Sequence, residues 1–163
     1  MFQDESSFGR ITQVLKCWAK KGARPQILYH QIREFRYLFG AVDPKSGDSS
    51  FRIISSCDTV CMNAFLKDLS LDFKNEHILL VCDNASWHKS KTLEIPNNIT
   101  ITHILPYTPE MNPIEQLWKE IKEKHFANLV FPSLKRVEDK ICYAIQNLSK
   151  STIKNITNRS WIC

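Results

Sequence analysis

The chain has 163 residues, of which 43% are hydrophobic and 24% are charged, which is enough apolar material for a folded core. Four Gly and seven Pro are too few for a low-complexity linker, and the composition excludes a disordered chain. No apolar stretch reaches the roughly 18 residues that a membrane span needs, so no membrane partner is expected. Residues 1–5 lack the basic and apolar regions of a signal peptide, and we expect a cytoplasmic protein.

The six cysteines contain no C-x-x-C pair, and a cytoplasmic location favours free thiols over disulfides. Cys57 and Cys61 have no partner pair at zinc-finger spacing. We therefore interpret the cysteines as small apolar residues and expect no structural zinc site.

Positive charge is concentrated near the start of the chain, within a net charge of +5. Residues 10–36 contain one acid, Glu34, and seven cations: Arg10, Lys16, Lys20, Lys21, Arg24, Arg33 and Arg36. Such a stretch is suited to a polyanion, nucleic acid above all. An ordinary solvated surface also carries Lys and Arg, so charge alone leaves both interpretations open.

The first half of the chain is predicted to form strands at residues 1–5, 26–30 and 35–42. Turn-forming residues at 43–48 lead back into a strand at 50–55, which predicts an antiparallel hairpin. A helix is then expected to begin at Asp58 or Thr59, because apolar residues recur there at helical spacing.

From residue 76 the pattern changes to alternating strands and helices. Residues 77–82 and 99–105 are predicted strands, and residues 112–126 and 133–148 are predicted helices. Antiparallel strands followed by βαβα elements predict an α/β fold, a mixed sheet with flanking helices. We expect one domain over residues 1–150 and a basic C-terminal tail over residues 151–163.

Three acids occupy positions suited to a metal site. Asp83 follows the apolar strand directly, where strand ends gather functional groups, although Asp also caps helices and forms turns. Glu115 fits a capping box with Asn112 as N-cap, yet its place on the helical wheel is the border of the apolar face, beside Lys122. Asp4 lies in the first strand, on the opposite pleat face from Gln3 and Glu5.

Carboxylates of Asp4 and Asp83 that meet at the sheet centre would repel each other unless cations lie between them. Two divalent ions remove this conflict. Hard oxygen ligands without a nearby Cys or His pair favour Mg²⁺ or Mn²⁺ over zinc.

Two motifs, DNASWHKS at 83–90 and LPYTPEMNPIEQLW at 105–118, closely resemble the catalytic domain of DDE transposases. The branch that the chain resembles is the mariner superfamily, in particular its bacterial insertion-sequence transposases. Shorter motifs in the first half of the chain resemble the first half of the same catalytic domain and occur in the same order. They are QDE at 3–5, KGARP at 21–25 and FGAVDP at 39–44. The resemblance covers residues 2 to about 148.

The resemblance implies an RNase H-like fold and maps the catalytic, metal-binding triad onto Asp4, Asp83 and Glu115. It implies two Mg²⁺ or Mn²⁺ ions, with Asp4 bridging them, and a reaction that cleaves DNA and joins the freed 3′ end to a target. The partners would be transposon ends and target DNA, with a homodimer on paired ends. A bacterial, nucleoid-associated location follows from this activity.

Six side chains are candidates for DNA phosphate contacts: Lys20, Lys21, Arg24, His88, Lys89 and Lys91. For the last three, an ordinary loop surface is an equal interpretation. Trp118 is interpreted as a core residue rather than a base-stacking platform, and so is Trp87, whose loop neighbours are polar.

In the family, an N-terminal helix-turn-helix part reads the element's ends, and we expect this chain to be without that part. Either a separately encoded helix-turn-helix partner supplies that part, or the chain is a truncated remnant. Three functions therefore stay open: a transposase catalytic domain, a decayed or truncated DNA-binding remnant, and a stand-alone RNase H-like nuclease.

Overall fold

The computed structural model describes residues 1–106 and 108–162, apart from the side chain of Pro109. Its strands are β1 (Phe2–Ile11), β2 (Gln31–Val42), β3 (Ser49–Ile54), β4 (Ile78–Cys82) and β5 (Ile99–His103). Its helices are α1 (Thr59–Asp72), α2 (Ile114–His125), α3 (Leu134–Gln146) and α4 (Lys150–Thr157), with short 3₁₀ helices at Ser86–Lys89 and Pro109–Met111.

The described strands form one mixed sheet in the order β3-β2-β1-β4-β5. β1, β2 and β3 pair antiparallel, whereas β4 is parallel to both β1 and β5. The predicted mixed sheet with antiparallel strands first and parallel strands later is confirmed.

The turn between β2 and β3 is closed by Asp43. Its Oδ1 accepts a hydrogen bond from the backbone of Lys45 at 2.9 Å, and its Oδ2 accepts one from the hydroxyl of Ser46 at 2.8 Å. Gly47 takes a positive φ of 80°, which suits a residue without a side chain. The predicted hairpin is confirmed.

β1 and β4 pair only at the start of β1, where Phe2 lies opposite Val81. Continuing this parallel register by two residues brings Asp4 level with Asp83. Beyond that point β4 has ended at Cys82, so the sheet opens between the two strands. This opening is where the candidate site lies.

α1 and α3 begin at side-chain caps, and α2 packs through its apolar face. Asp58 caps α1 by accepting from the backbone of Cys61, and Ser133 caps α3 by accepting from the backbone of Arg136. α2 buries the apolar face that its sequence predicts. The buried residues of this face are Ile114, Leu117, Trp118 and Ile121.

Apolar cores lie on both faces of the sheet. On one face, α2, α3 and α4 pack against Phe8, Leu38 and Val42 of β1 and β2. On the other, α1 packs against Phe39 and Ala41. Because successive strand residues point to opposite faces, Asp4 points toward the α2 side, and Gln3 and Glu5 point toward the α1 side.

Several segments differ from the sequence prediction, among them β2, which begins at Gln31 rather than at residue 35, and β5, which ends at His103 rather than at residue 105. β1 extends to Ile11 rather than ending near residue 5, because it pairs with β2 along most of its length. Residues 26–30 are not a strand; they lie in an irregular and mostly exposed connection between β1 and β2. The segment predicted as a tail contains α4, whose Ile153 and Thr157 are buried.

The connection over residues 12–30 is fixed at its ends. Thr12 and His30 exchange hydrogen bonds, and the side chain of Asn128 bonds the backbone of Leu15 in both directions. Asn128 has a φ of 57°, a left-handed conformation that Asn tolerates better than most residues. The residues in between, including a fully exposed Trp18, lie on the surface.

Five cysteines of the described chain carry free thiols, and Cys163 lies outside the described residues. Among residues 1–106 and 108–162, no helix has the length and apolar character to cross a bilayer.

Candidate active site

A cleft of about 350 Å³ lies at the opening between β1 and β4, and all three predicted acids line it. Its lining residues are Asp4, Asp83, Asn84, Ile104, Leu105, Pro106, Thr108, Asn112 and Glu115. Tyr107, which belongs to the second sequence motif, lies outside the described residues. A larger cavity of about 440 Å³ lies beside Phe8 and Phe126. Its described lining has no carboxylate, so this cavity lacks the acids that the predicted metal site requires.

Asp4 points from β1 into the cleft and is the most strongly perturbed acid there. Burial raises its pKa to about 8, and the nearby charges of Glu115 and Glu5 act in the same direction. The indole Nε1 of Trp118 donates a hydrogen bond of 2.8 Å to Oδ2, which opposes part of this effect. Burial, more than the neighbouring charges, therefore destabilises the charged form of Asp4.

Glu115, in the first turn of α2, lies at the rim of the cleft. Partial burial raises its pKa, Lys122 opposes this, and Asp83 adds to it. Burial lowers the pKa of Lys122, against the pull of Glu115 and Asp4, and its ammonium lies 5.5 Å from the ring centroid of Phe8. The predicted neighbourhood of Glu115 and Lys122 is confirmed.

Asp83 follows β4 directly, and its Oδ1 has two partners. The backbone of Ala85 donates to it at 2.9 Å, and Nδ1 of His88 contacts it at 2.7 Å. The hydrogen bond from His88 lowers the pKa of Asp83 more than burial raises it. Asp83 thus stays ionised at neutral pH, in contrast to Asp4.

His88 is buried, with 2% of its surface exposed, rather than presented to solvent. Its Nε2 contacts Oε1 of Glu5 at 3.0 Å, so both ring nitrogens are engaged. Burial lowers the pKa of His88, but the hydrogen bonds to Asp83 and Glu5 outweigh it and raise the pKa to about 9. The buried position of His88 fits neither of the two interpretations left open for it, a phosphate contact or an ordinary loop surface.

Asn112 does not cap α2 through its side chain, so the predicted capping box is wrong. Its Nδ2 instead donates to the backbone carbonyl of Gln3 at 2.9 Å, which ties the start of α2 to β1. Its Oδ1 is buried and has no partner among the described residues. This tertiary bond takes the place of the local cap, and Asn112 is nearly fully enclosed.

The donor chemistry of the cleft fits a divalent cation. Carboxylate oxygens are the ligands that Mg²⁺ and Mn²⁺ prefer, and burial, with the charges of Glu115 and Glu5 adding to it, raises the pKa of Asp4 in this cleft. Within the described chain, no three His, Cys, Asp or Glu residues are grouped closely enough to hold one ion. The three acids therefore share the cleft without forming a common coordination group.

The remaining predicted cations lie on the surface. Lys20, Lys21 and Arg24 are exposed in the 12–30 connection, and Lys89 and Lys91 are exposed just after the buried His88. Trp118 belongs to the core as predicted, and Trp87 packs partly buried against the α1 core.

Sequence comparison assigns most of the chain to a family. The family model described as DDE superfamily endonuclease matches residues 1–138. A protein of Sinorhizobium fredii, named Uncharacterized protein y4pE/y4sA, is 30% identical over 128 residues, which are 77% of this chain and 95% of that protein.

Solved structures of the Mos1 mariner transposase have a similar fold. The Mos1 strand transfer complex gives a TM-score of 0.72 at 15% identity, covering 96% of this chain and 49% of that one. The Mos1 catalytic domain gives 0.65 at 12% identity, covering 96% and 74%. The chain spans about half the length of the Mos1 chain in the strand transfer complex. The fold is RNase H-like, and the chain belongs to the DDE superfamily endonuclease family.

Proposed function

We propose that this chain is the catalytic domain of a transposase that cleaves DNA with divalent metal ions and joins the freed 3′ end to a target DNA. The observation that carries the proposal is the cleft that Asp4, Asp83 and Glu115 line together from β1, the end of β4 and the first turn of α2. Family membership and the Mos1-like fold support it.

Asp4, Asp83 and Glu115 are the residues that would hold Mg²⁺ or Mn²⁺. Such ions would neutralise the phosphodiester oxygens and would supply an activated water or 3′-hydroxyl for attack. The chemistry of the family requires acids from these three elements, and the cleft provides them without a competing thiol or imidazole in its described lining.

Other residues of the chain prepare the acids for this task. Trp118 orients Asp4 through its indole N–H, and His88 holds Oδ1 of Asp83. The side chain of Asn84 donates to the backbone carbonyl of Ile104 at 2.6 Å, which joins the ends of β4 and β5 at the wall of the cleft.

The substrates in this proposal are transposon ends and target DNA. The Mos1 structures include a strand transfer complex and a paired-end complex with the left transposon end, which are such assemblies for Mos1. Lys20, Lys21, Arg24, Lys89 and Lys91 are the exposed cations that would contact phosphates. A helix-turn-helix partner and a homodimer belong to the same proposal.

The test is a nicking assay on supercoiled plasmid with Mg²⁺ or Mn²⁺. We compare the wild type with Asp4→Asn, Asp83→Asn and Glu115→Gln, each of which removes one charge at nearly constant shape. We expect each variant to lose nicking by at least about a thousandfold while it keeps its affinity for DNA. A second assay, with a pre-cut transposon end, measures joining to the plasmid.

Glu120→Gln is the matched control, since it removes an acid from the same helix that pairs with Lys124 outside the cleft. It should nick as the wild type does. DNA binding that weakens steeply with salt, without any metal-dependent nicking, would instead identify a decayed DNA-binding module. Cleavage of RNA–DNA hybrids in preference to plasmid would identify a stand-alone nuclease.

A further inference from the structure

Glu5 is a buried acid that the proposed chemistry does not use. β1 places it on the sheet face opposite Asp4, and only 6% of its side chain is exposed. Burying a carboxylate is costly unless it is well paired. Three donors meet its Oε1: Nε2 of Gln3 at 3.0 Å, Nε1 of Trp87 at 3.3 Å and Nε2 of His88 at 3.0 Å.

His88 connects Glu5 to Asp83. Its ring is fully enclosed, and its second nitrogen, Nδ1, lies 2.7 Å from Oδ1 of Asp83. The two nitrogens have a fixed geometry in the imidazole ring, so the contact of Nε2 with Glu5 determines where Nδ1 points. Glu5 therefore acts on Asp83 without touching it.

The local chain explains why Asp83 needs such support. β4 ends at Cys82, so Asp83 has no strand pairing of its own. The chain turns at Ala85 into the 3₁₀ helix Ser86–Lys89, where the backbone of His88 donates to Ala85 at 3.1 Å. This turn brings His88 beneath Asp83, and Glu5 of the adjacent strand closes the chain of contacts.

We propose that Glu5, through His88, is a positioning residue that holds the Asp83 carboxylate in the orientation needed to bind the divalent cation. The inference rests on the function proposed above, because it assumes that Asp83 is a metal ligand. Groups that orient a ligand in this way typically change metal affinity about 10-fold to 100-fold when they are removed.

The test measures Mn²⁺ binding to the full chain without DNA, by the electron paramagnetic resonance signal of free Mn²⁺. Removing the anchor in Glu5→Ala should raise the Kd by about tenfold or more. Glu5→Gln keeps an acceptor oxygen for His88 and should stay within about threefold of the wild type. Circular dichroism verifies that each variant is folded.

A double variant separates positioning from general destabilisation. His88→Gln places its amide near the former Nε2, so it keeps a partner for Glu5 but no longer reaches Asp83. It should weaken Mn²⁺ binding as Glu5→Ala does, and it tests the same link if Glu5→Ala does not fold. Adding Glu5→Ala to His88→Gln should weaken Mn²⁺ binding no further, since the connection is already broken.

Two controls distinguish failure of this inference from failure of the proposed function. Glu138→Gln removes the acid of the Arg36 ion pair on α3 and should leave the Kd unchanged. If Asp83→Asn abolishes Mn²⁺ binding while folded Glu5→Ala and His88→Gln bind as the wild type does, the inference fails and the proposed function stands. If Mn²⁺ binding does not depend on Asp83, both fail.

Discussion

Trp118 donates a hydrogen bond of 2.8 Å from its indole nitrogen to Oδ2 of Asp4. Trp118 is also a core residue, 2% exposed, whose ring packs edge-on against Phe51 at a centroid distance of 6.2 Å. One side chain therefore fills the core beneath α2 and orients an acid of the cleft.

Replacing Trp118 by Phe should weaken both functions of this residue. Phe keeps most of the apolar contact but leaves the buried Asp4 without its donor, which costs about 1 to 3 kcal/mol of unfolding free energy. We expect nicking to fall about tenfold because Asp4 loses its orientation. Urea unfolding and the plasmid assay measure the two effects.

Trp161→Phe is the control for that substitution, because Trp161 packs against Phe2 outside the cleft and is 47% exposed. It should nick as the wild type does. A Trp118→Phe variant that nicks at the wild-type rate would show that the hydrogen bond to Asp4 is not needed for activity.

Gly40 provides the space that lets Trp118 reach Asp4. It lies opposite Asp4 in the β1–β2 register, and an added Cβ would meet Trp118 at 2.6 Å and Phe51 at 2.9 Å. Gly40→Ala should therefore lower the unfolding free energy by about 1 to 3 kcal/mol, as overpacking of a core does. Urea unfolding measures the change.

Ser7→Ala, at an exposed position of β1, is the comparison for Gly40→Ala and should change stability little. Nicking by Gly40→Ala should also fall, because the displaced indole moves away from Asp4. Equal stability of Gly40→Ala and the wild type would mean that the two rings move aside at no cost.

Asp43 should make stability depend on pH below about 4. Burial raises its pKa, but the hydrogen bonds from Lys45 and Ser46 outweigh this and leave the pKa below its usual value. The folded state therefore binds fewer protons than the unfolded state at this group. The contribution of Asp43 to the free energy of unfolding is therefore fully present above the pKa of the unfolded state. It is lost as the pH falls through the lower pKa of the folded state.

The measurement is urea unfolding of the wild type and Asp43→Asn over a pH series from about 6 to about 2.5. The stability difference between the two proteins should shrink as the pH falls. A difference that stays constant over this range would contradict the lowered pKa of Asp43.

The exposed cations of the 12–30 connection should carry part of the DNA affinity. Changing Lys20, Lys21 and Arg24 together to Gln should weaken binding and reduce the salt slope of log K by about 0.9 for each DNA phosphate that the variant no longer neutralises. Fluorescence anisotropy with a labelled duplex over a series of salt concentrations measures both quantities.

A triple change of Lys45, Lys67 and Lys74 to Gln alters the net charge equally at other exposed positions. It should leave the salt slope nearly unchanged. If both triple variants weaken DNA binding alike, the effect comes from net charge, and the 12–30 connection is not a specific DNA contact.

The sequence predicted the elements whose patterns are local. The buried strand before Asp83, the hairpin at residues 43–48 and the apolar face of α2 all follow from spacing and turn chemistry. β1 was predicted too short because Ser6, Ser7 and Gly9 are weak strand formers, and only pairing with β2 holds them extended. Residues 26–30 have strand composition but no partner strand in the described chain.

The part of the site that was missed depends on contacts between distant residues. Glu5 and His88 are 83 positions apart, so no spacing rule connects them. The available signal was an acid on the inward-facing side of a strand, next to Asp4, together with a histidine shortly after Asp83. For Asn112 the prediction was wrong for a related reason. Its type and position suit a helix cap, but its side chain bonds the distant strand β1 instead.

Because Asp4 and Glu5 are neighbours on one strand, their order determines which acid serves which face of the sheet. Exchanging them would preserve composition, charge and strand length, yet put the longer acid into the cleft and the shorter one beneath His88. A one-residue slip of β1 along β2 would also move both acids, because it turns each of these side chains to the opposite face of the sheet. The pairing of β1 with β2 thus does more than build the sheet, since it assigns the two carboxylates to different tasks.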